Sequence, residues 1–168
     1  MPNITFSGTP TPILNHLPLV GSRAVDFQLV KNDLSLKSFS DYKRQKLVLN
    51  IFPSVDTEVC AASVRHFNAA AAALTNTQVL CISRDLPFAQ KRFCGAENIE
   101  NVTLLSDYDT GQFGIDYGVI ITGGPLQGLF ARAIVVIDTH GQIAYTELVK
   151  ELTNAPDYAA ALKAIEEI

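Results

Sequence analysis

Tryptophan is absent from this 168-residue chain, methionine occurs once, and cysteine occurs three times. The cysteines, Cys60, Cys81 and Cys94, include no CxxC pair, which argues against the dithiol motif of a general disulfide oxidoreductase. So small and odd a number does not make a structural disulfide framework either. The histidines His16, His66 and His140 stand alone, none at zinc-ligand spacing from a cysteine pair, so a metal site is not expected. Lys/Arg clusters are also missing. With a net charge of −4, the chain carries no electrostatic footprint for nucleic acid or for an anionic membrane surface. No apolar run reaches the length of a membrane span. The opening "MPNITFSGTPTPI" lacks the basic start and apolar stretch of a signal peptide, so a cytoplasmic location is expected. The glycine-rich "VIITGGPLQG" (119–128) lacks the Lys-Ser/Thr of a phosphate loop.

What is present is apolar patterning: 48% of the residues are hydrophobic, enough for one domain over 1–168 with a sizeable core. "KLVLNIF" (46–52) and "QVLCIS" (78–83) are continuous apolar runs, as in strands buried on both faces. "AVDFQLV" (24–30) alternates as a short strand, and "SLKSFSDYK" after it reads as a surface connection. "ARAIVVID" (131–138) and "QIAYTELV" (142–149), separated by Thr139-His140-Gly141, read as an antiparallel hairpin, and "NITFSGTPTPI" as a small N-terminal one. Val64, Phe67, Ala71 and Leu74 recur on one helical face. Further helices are expected over 87–98, with Pro87 at its start and Gly95 near its end, and over a glycine-weakened 107–118. The last is expected at the C-terminus, with Pro156 near its first position. This alternation predicts an α/β fold with a mixed sheet flanked by helices.

One junction carries chemistry. "PSVDTEVC" (53–60) lies between the strand 46–52 and the helix that follows, and such strand–loop–helix junctions gather functional groups in α/β sheets. A helix starting near Thr57 puts Cys60 in its first turn, where free N–H groups and the positive dipole end favour a thiolate, the nucleophilic form. The Thr57 hydroxyl can accept a hydrogen bond from a substrate and donate one to sulfur. Pro53 fixes its own φ and can stiffen the loop and shield the sulfur. Taken singly, each residue also has a plain reading: Cys60 as a small core hydrophobe on the apolar helix face, Thr57 as a helix cap, Pro53 as a loop residue. Cys81, inside a strand, is expected in the core, with an alternative role as a disulfide partner of Cys60. Arg132 alone reads as a surface residue, yet at the start of a core strand it can reach inward. Lys91 and Arg92 are either solvated charges or aids to ionising the Cys94 thiol.

Pro53, Thr57 and Cys60 match Pro-x-x-x-Thr/Ser-x-x-Cys, and with "VLCISRDLPFAQKRFCGAE" and "GPLQGLFARAIVVID" the chain resembles, over nearly its whole length, the thiol peroxidase branch of the peroxiredoxins. The resemblance implies a thioredoxin-like fold and a peroxidase that reduces hydrogen peroxide and organic hydroperoxides with no cofactor: no metal, haem or flavin. Cys60 would be the peroxidatic cysteine and form a sulfenic acid. Cys94 would be the resolving cysteine and close an intramolecular disulfide, which thioredoxin would reduce. Arg132 would be the active-site arginine, and the chain would form a homodimer. Cys60 opens one helix and Cys94 closes another, whereas a disulfide needs Cα atoms within about 7 Å, so both segments are expected to rearrange when they bond. A glycine-rich loop with apolar flanks would suit an alkyl hydroperoxide. The alternative is a non-catalytic thiol sensor that passes oxidation to a partner protein, since a sensor needs the same reactive cysteine. An inert binding domain is a third reading.

Overall fold

The computed structural model describes residues 2–168, and two sheets organise it. Strands β1 (Asn3–Phe6) and β2 (Thr9–Pro12) form the expected N-terminal hairpin, turning through Ser7 and Gly8, both at positive φ. The main sheet is built from β3 (Gln28–Lys31), β4 (Leu36–Ser38), β5 (Lys46–Ile51), β6 (Thr77–Ser83), β7 (Thr103–Ser106), β8 (Ala133–Ile137) and β9 (Ile143–Leu148). Its order is β4-β3-β7-β6-β5-β8-β9. The centre β5-β6-β7 is parallel, while β3 and β8 join antiparallel to β7 and β5 and are extended by β4 and β9, so the sheet is mixed as expected.

The continuous apolar runs explain the centre, because a strand covered on both faces buries every second side chain on each side. Leu47, Leu49 and Ile51 of β5 pack with Phe113, Tyr117 and Phe130 on one face. Val48 packs on the other face among Val64, Phe67, Phe93 and Ile165. That second face is covered by α1 (Glu58–Ala71), α2 (Pro87–Glu97) and α4 (Tyr158–Glu166), and the first by the short α3 (Gln112–Asp116).

Several boundaries differ from the expected ones. The surface connection after β3 contains β4 and a 3-10 turn, Phe39–Tyr42, and β3 itself starts only at Gln28. The four-residue β7 gave too short a pattern to register, yet it fills the place between β3 and β6. Helix α3 is confined to five residues, its N-cap Gly111 sitting at φ 70°, a left-handed conformation that stops a helix from continuing through 107–111. Gly95 lies inside α2, and the left-handed cap is Asn98, a residue type that tolerates this region. Pro156 lies before the N-cap of α4, Asp157, whose carboxylate accepts the Ala160 N–H. Among the described residues no helix is long and apolar enough to cross a membrane, and no cluster of three or more His, Cys, Asp or Glu side chains is placed to hold a metal.

Candidate active site

Register puts Arg132 beside the Pro53–Cys60 loop. Strand β8 runs antiparallel to β5 with Ala133 opposite Ile51, so Arg132, one residue before β8, emerges at the end of β5 where the loop begins. On the other side, parallel β6 pairs Ile82 with Ile51, and Phe52 N–H donates to the Ile82 carbonyl at 3.2 Å. The loop therefore springs from the carboxyl end of the central strand, between two strands that fix its base.

Thr57 is the N-cap of α1, but its hydroxyl does not cap the helix: it donates back to the Ser54 carbonyl at 3.1 Å, tightening the turn. Cys60 follows in the first helical turn, fully buried at 0% exposure. Arg132 is also buried, at 3% exposure, and its Nη1 donates to Cys60 Sγ at 3.2 Å. Its Nε and Nη2 both donate to the Leu152 carbonyl, at 3.2 and 2.8 Å, so the guanidinium is held from two directions. No carboxylate among the described residues forms a salt bridge with it. Beside Arg132 opens a cleft of about 370 Å³, lined by Pro53, Thr57, Glu58, Arg132 and Thr153 with apolar walls from Phe6, Val59, Leu126 and Leu152. Pro53 is buried there, and Leu126 comes from the glycine-rich 119–128 loop.

The segment that holds Arg132 also holds the N-terminal hairpin. Glu151 accepts the backbone N–H groups of Gly8 at 2.8 Å, Ser7 at 3.2 Å and Thr153 at 3.1 Å, and the Thr5 hydroxyl at 3.2 Å. These donors, Gly8 foremost, lower its carboxyl to about 2. Sequence reading gave no sign of Glu151, Phe6 or Leu152, whose partners lie at the opposite end of the chain.

Four of the expected residues, Pro53, Thr57, Cys60 and Arg132, thus converge. Cys94 stands apart, in the last turn of α2, half-buried against the cluster that contains Cys60, and both thiols are free. Burial pushes the Cys94 thiol up, and the nearby Arg92 is instead paired with Asp56 at 3.1 Å on the surface. Cys81 lies in the core as expected; burial pushes its thiol up to about 12 despite a contact from Asn50 Nδ2 at 3.6 Å.

The sequence profile of the Redoxin family matches residues 19–162. A thiol peroxidase from Corynebacterium glutamicum is 54% identical over 160 residues, covering 95% of this chain and 96% of that protein. One from Mycobacterium bovis is 53% identical over 165 residues, covering 98% and 99%. Among solved structures, a peroxiredoxin-like protein from Aquifex aeolicus superimposes with a TM-score of 0.93 at 38% identity, covering 98% of this chain and 96% of the other.

Proposed function

The chain belongs to the Redoxin family and is a peroxiredoxin-type peroxidase of thioredoxin-like fold, and from that premise we propose that Cys60 is its peroxidatic nucleophile. The observation that carries this reading is the hydrogen bond from buried Arg132 to Cys60 Sγ at 3.2 Å, beside a cleft large enough for a peroxide. The Arg132 guanidinium is a buried, charged donor in contact with the sulfur, placed where charge develops during the reaction. The start of α1 adds its positive dipole end to the same atom.

In the reaction we propose, the Cys60 thiolate attacks one oxygen of the hydroperoxide in line with the O–O bond. That bond breaks, its electron pair leaves with the second oxygen, and this oxygen takes up a proton to become water or an alcohol. Arg132 stabilises the charge growing on the leaving oxygen, with a guanidinium that stays protonated and offers several donors. Thr57 and Pro53 line the approach, and Thr57 orients the peroxide by releasing or sharing its bond to Ser54. The Cys94 thiol then attacks the Cys60 sulfenic acid and loses its proton as the S–S bond forms, and the sulfenic oxygen leaves with that proton as water. A dithiol protein, thioredoxin, restores both thiols by exchange and is itself oxidised. The apolar walls from Phe6, Leu126 and Leu152 support organic hydroperoxides as substrates beside hydrogen peroxide. Cys94 ends α2 while Cys60 begins α1, which supports a local rearrangement of both segments during the second step.

The same reading takes the chain as one domain over 1–168, a homodimer, in the cytoplasm. Exposed Leu19, Val20 and Ile115 offer apolar surface for a second subunit, and three free thiols suit a reducing compartment. The test is peroxide-dependent NADPH consumption with thioredoxin and thioredoxin reductase, using hydrogen peroxide and cumene hydroperoxide. Multiple turnovers are expected, lost in Cys60→Ser and strongly reduced in Cys94→Ser. One rapid oxidation of Cys60 without turnover would instead favour a sensor that hands its oxidation to a partner.

A further inference from the structure

A second set of polar contacts reaches the Cys60 loop from the far side of β6. Asp85 follows that strand and directly precedes Leu86, the N-cap of α2. Its carboxylate accepts three hydrogen bonds: Ser54 Oγ on Oδ1 at 2.7 Å, and Val55 N–H at 2.9 Å and Ser83 Oγ at 2.6 Å on Oδ2. Its backbone carbonyl accepts the Ser106 hydroxyl. Behind it, Gln90 of α2 donates to Ser83 Oγ at 3.2 Å and to the Leu105 carbonyl at 2.9 Å, and Ser83, Gln90 and Ser106 are all at 0% exposure. On one side, then, the carboxylate is fixed to the core and to the base of the Cys94 helix.

On its other side the chain of bonds runs to the reacting sulfur. Ser54 Oγ also accepts the Asp56 N–H at 3.1 Å. The Ser54 carbonyl accepts both the N–H of Thr57 at 3.2 Å and its hydroxyl at 3.1 Å. The Thr57 carbonyl accepts Ala61 N–H at 2.9 Å, the first turn around Cys60. Ser54 thus joins Asp85 to Thr57, one of the residues that line the cleft.

We propose that Asp85 is a positioning residue for the peroxidase, a clasp between the Cys60 loop and the base of the Cys94 helix that sets the balance between attack on peroxide and release of Cys60 toward Cys94. The inference rests on the roles proposed above for the two cysteines. Attack demands that sulfur, Thr57 and Arg132 stay in register, and a misplacement of about 1 Å costs as much as 100-fold. Disulfide formation demands the opposite, that both segments move until the Cα atoms approach within about 7 Å. A bond to a charged acceptor is stronger than one between neutral groups, so a single carboxylate holding the loop opposes that movement effectively. Loosening it slows the first step and speeds the second.

The experiment is a rapid-quench single turnover of the reduced full chain with hydrogen peroxide, counting sulfenic acid and disulfide by mass spectrometry after alkylation. Asp85→Ala is expected to slow Cys60 oxidation about tenfold or more and to accelerate the disulfide step. Ser54→Ala, which removes one hydroxyl from the loop and leaves the core intact, is expected to shift both rates in the same directions by less. This variant carries the test if Asp85→Ala fails to fold. Asp85→Asn is expected to fall between wild type and Asp85→Ala, because its amide oxygen can serve Val55 and Ser83 and its NH₂ can donate to Ser54 Oγ, but the charge that strengthens these bonds is gone. The core variant Ile165→Ala, remote from the clasp, is expected to show no such opposed pair of changes. The clasp is overturned if both steps slow together, if neither changes, or if asparagine is as damaging as alanine. A wild type whose Cys60 is not oxidised would overturn the cysteine roles themselves, an outcome distinct from a wild type that reacts normally while the variants show no split.

Discussion

Cys60 and Cys94 sit on the same side of one sheet, yet their surroundings are opposed. Cys60 is the more buried, but it lies at the start of a helix and touches a guanidinium. Cys94 is half-exposed, but it lies at the end of a helix, its carbonyl occupied by the N–H groups of Asn98 and Ile99, and burial acts on its thiol with no cation to offset it. Helix dipoles are positive at the first position and negative at the second. On the roles proposed for the two cysteines, accessibility does not mark the reactive thiol; the field at the sulfur does.

The comparison breaks most visibly at Arg132. Arg132→Met is expected to lower kcat/KM for peroxide by about 100-fold, while the alkylation rate of Cys94 stays as in wild type. Arg132→Lys is expected to recover only part of the loss, because an ammonium keeps the charge but not the fork that reaches both Sγ and the Leu152 carbonyl. Equal slowing of both cysteines would mean that the arginine merely supports the fold.

A pH profile sharpens the other half. In Cys60→Ser, iodoacetamide labelling of Cys94 is expected to keep rising past the pH at which the same thiol levels off in the unfolded chain, because its folded-state value is raised. The neutral thiol thus persists to higher pH in the folded protein, and a profile shifted to lower pH would refute this account of Cys94.

Smaller effects test what lies outside the contrast. Cys81→Ala is expected to cost about 1 kcal/mol in denaturant unfolding with peroxide turnover intact, since the thiol serves packing. Arg92→Gln, which breaks a pair whose side chains are 67% and 61% exposed, is expected to shift stability by less than about 1 kcal/mol and to leave Cys94 labelling unchanged.

How much of this was readable in the chain depends on range. The central strands were legible because "KLVLNIF" and "QVLCIS" leave no polar face, and α1 because Val64 and Phe67 share one side. Strands β4 and β7 were not: within a longer polar stretch, three or four residues carry little pattern, and their places come from their neighbours. At the site, Pro53, Thr57 and Cys60 are local in sequence and formed a motif. The inward reach of Arg132 follows from the antiparallel register of β8 on β5, which fits an arginine at the start of a core strand. Asp85 gave no signal at all, because its loop donors at 54 and 55 become neighbours only once β5 and β6 pair.

The Glu151 contacts have a consequence for acid. A carboxyl lowered from 4.5 to about 2 stays ionised in the folded chain down to about 2, and the stability it contributes is complete above 4.5 and is lost progressively between the two values. The hairpin tip at Ser7 and Gly8 is therefore expected to stay protected from hydrogen exchange down to pH 3, and in Glu151→Gln to exchange faster at neutral pH. Because the next residue, Leu152, supplies the carbonyl that holds Arg132, this latch keeps the arginine's anchor seated across the range in which ordinary surface carboxylates let go.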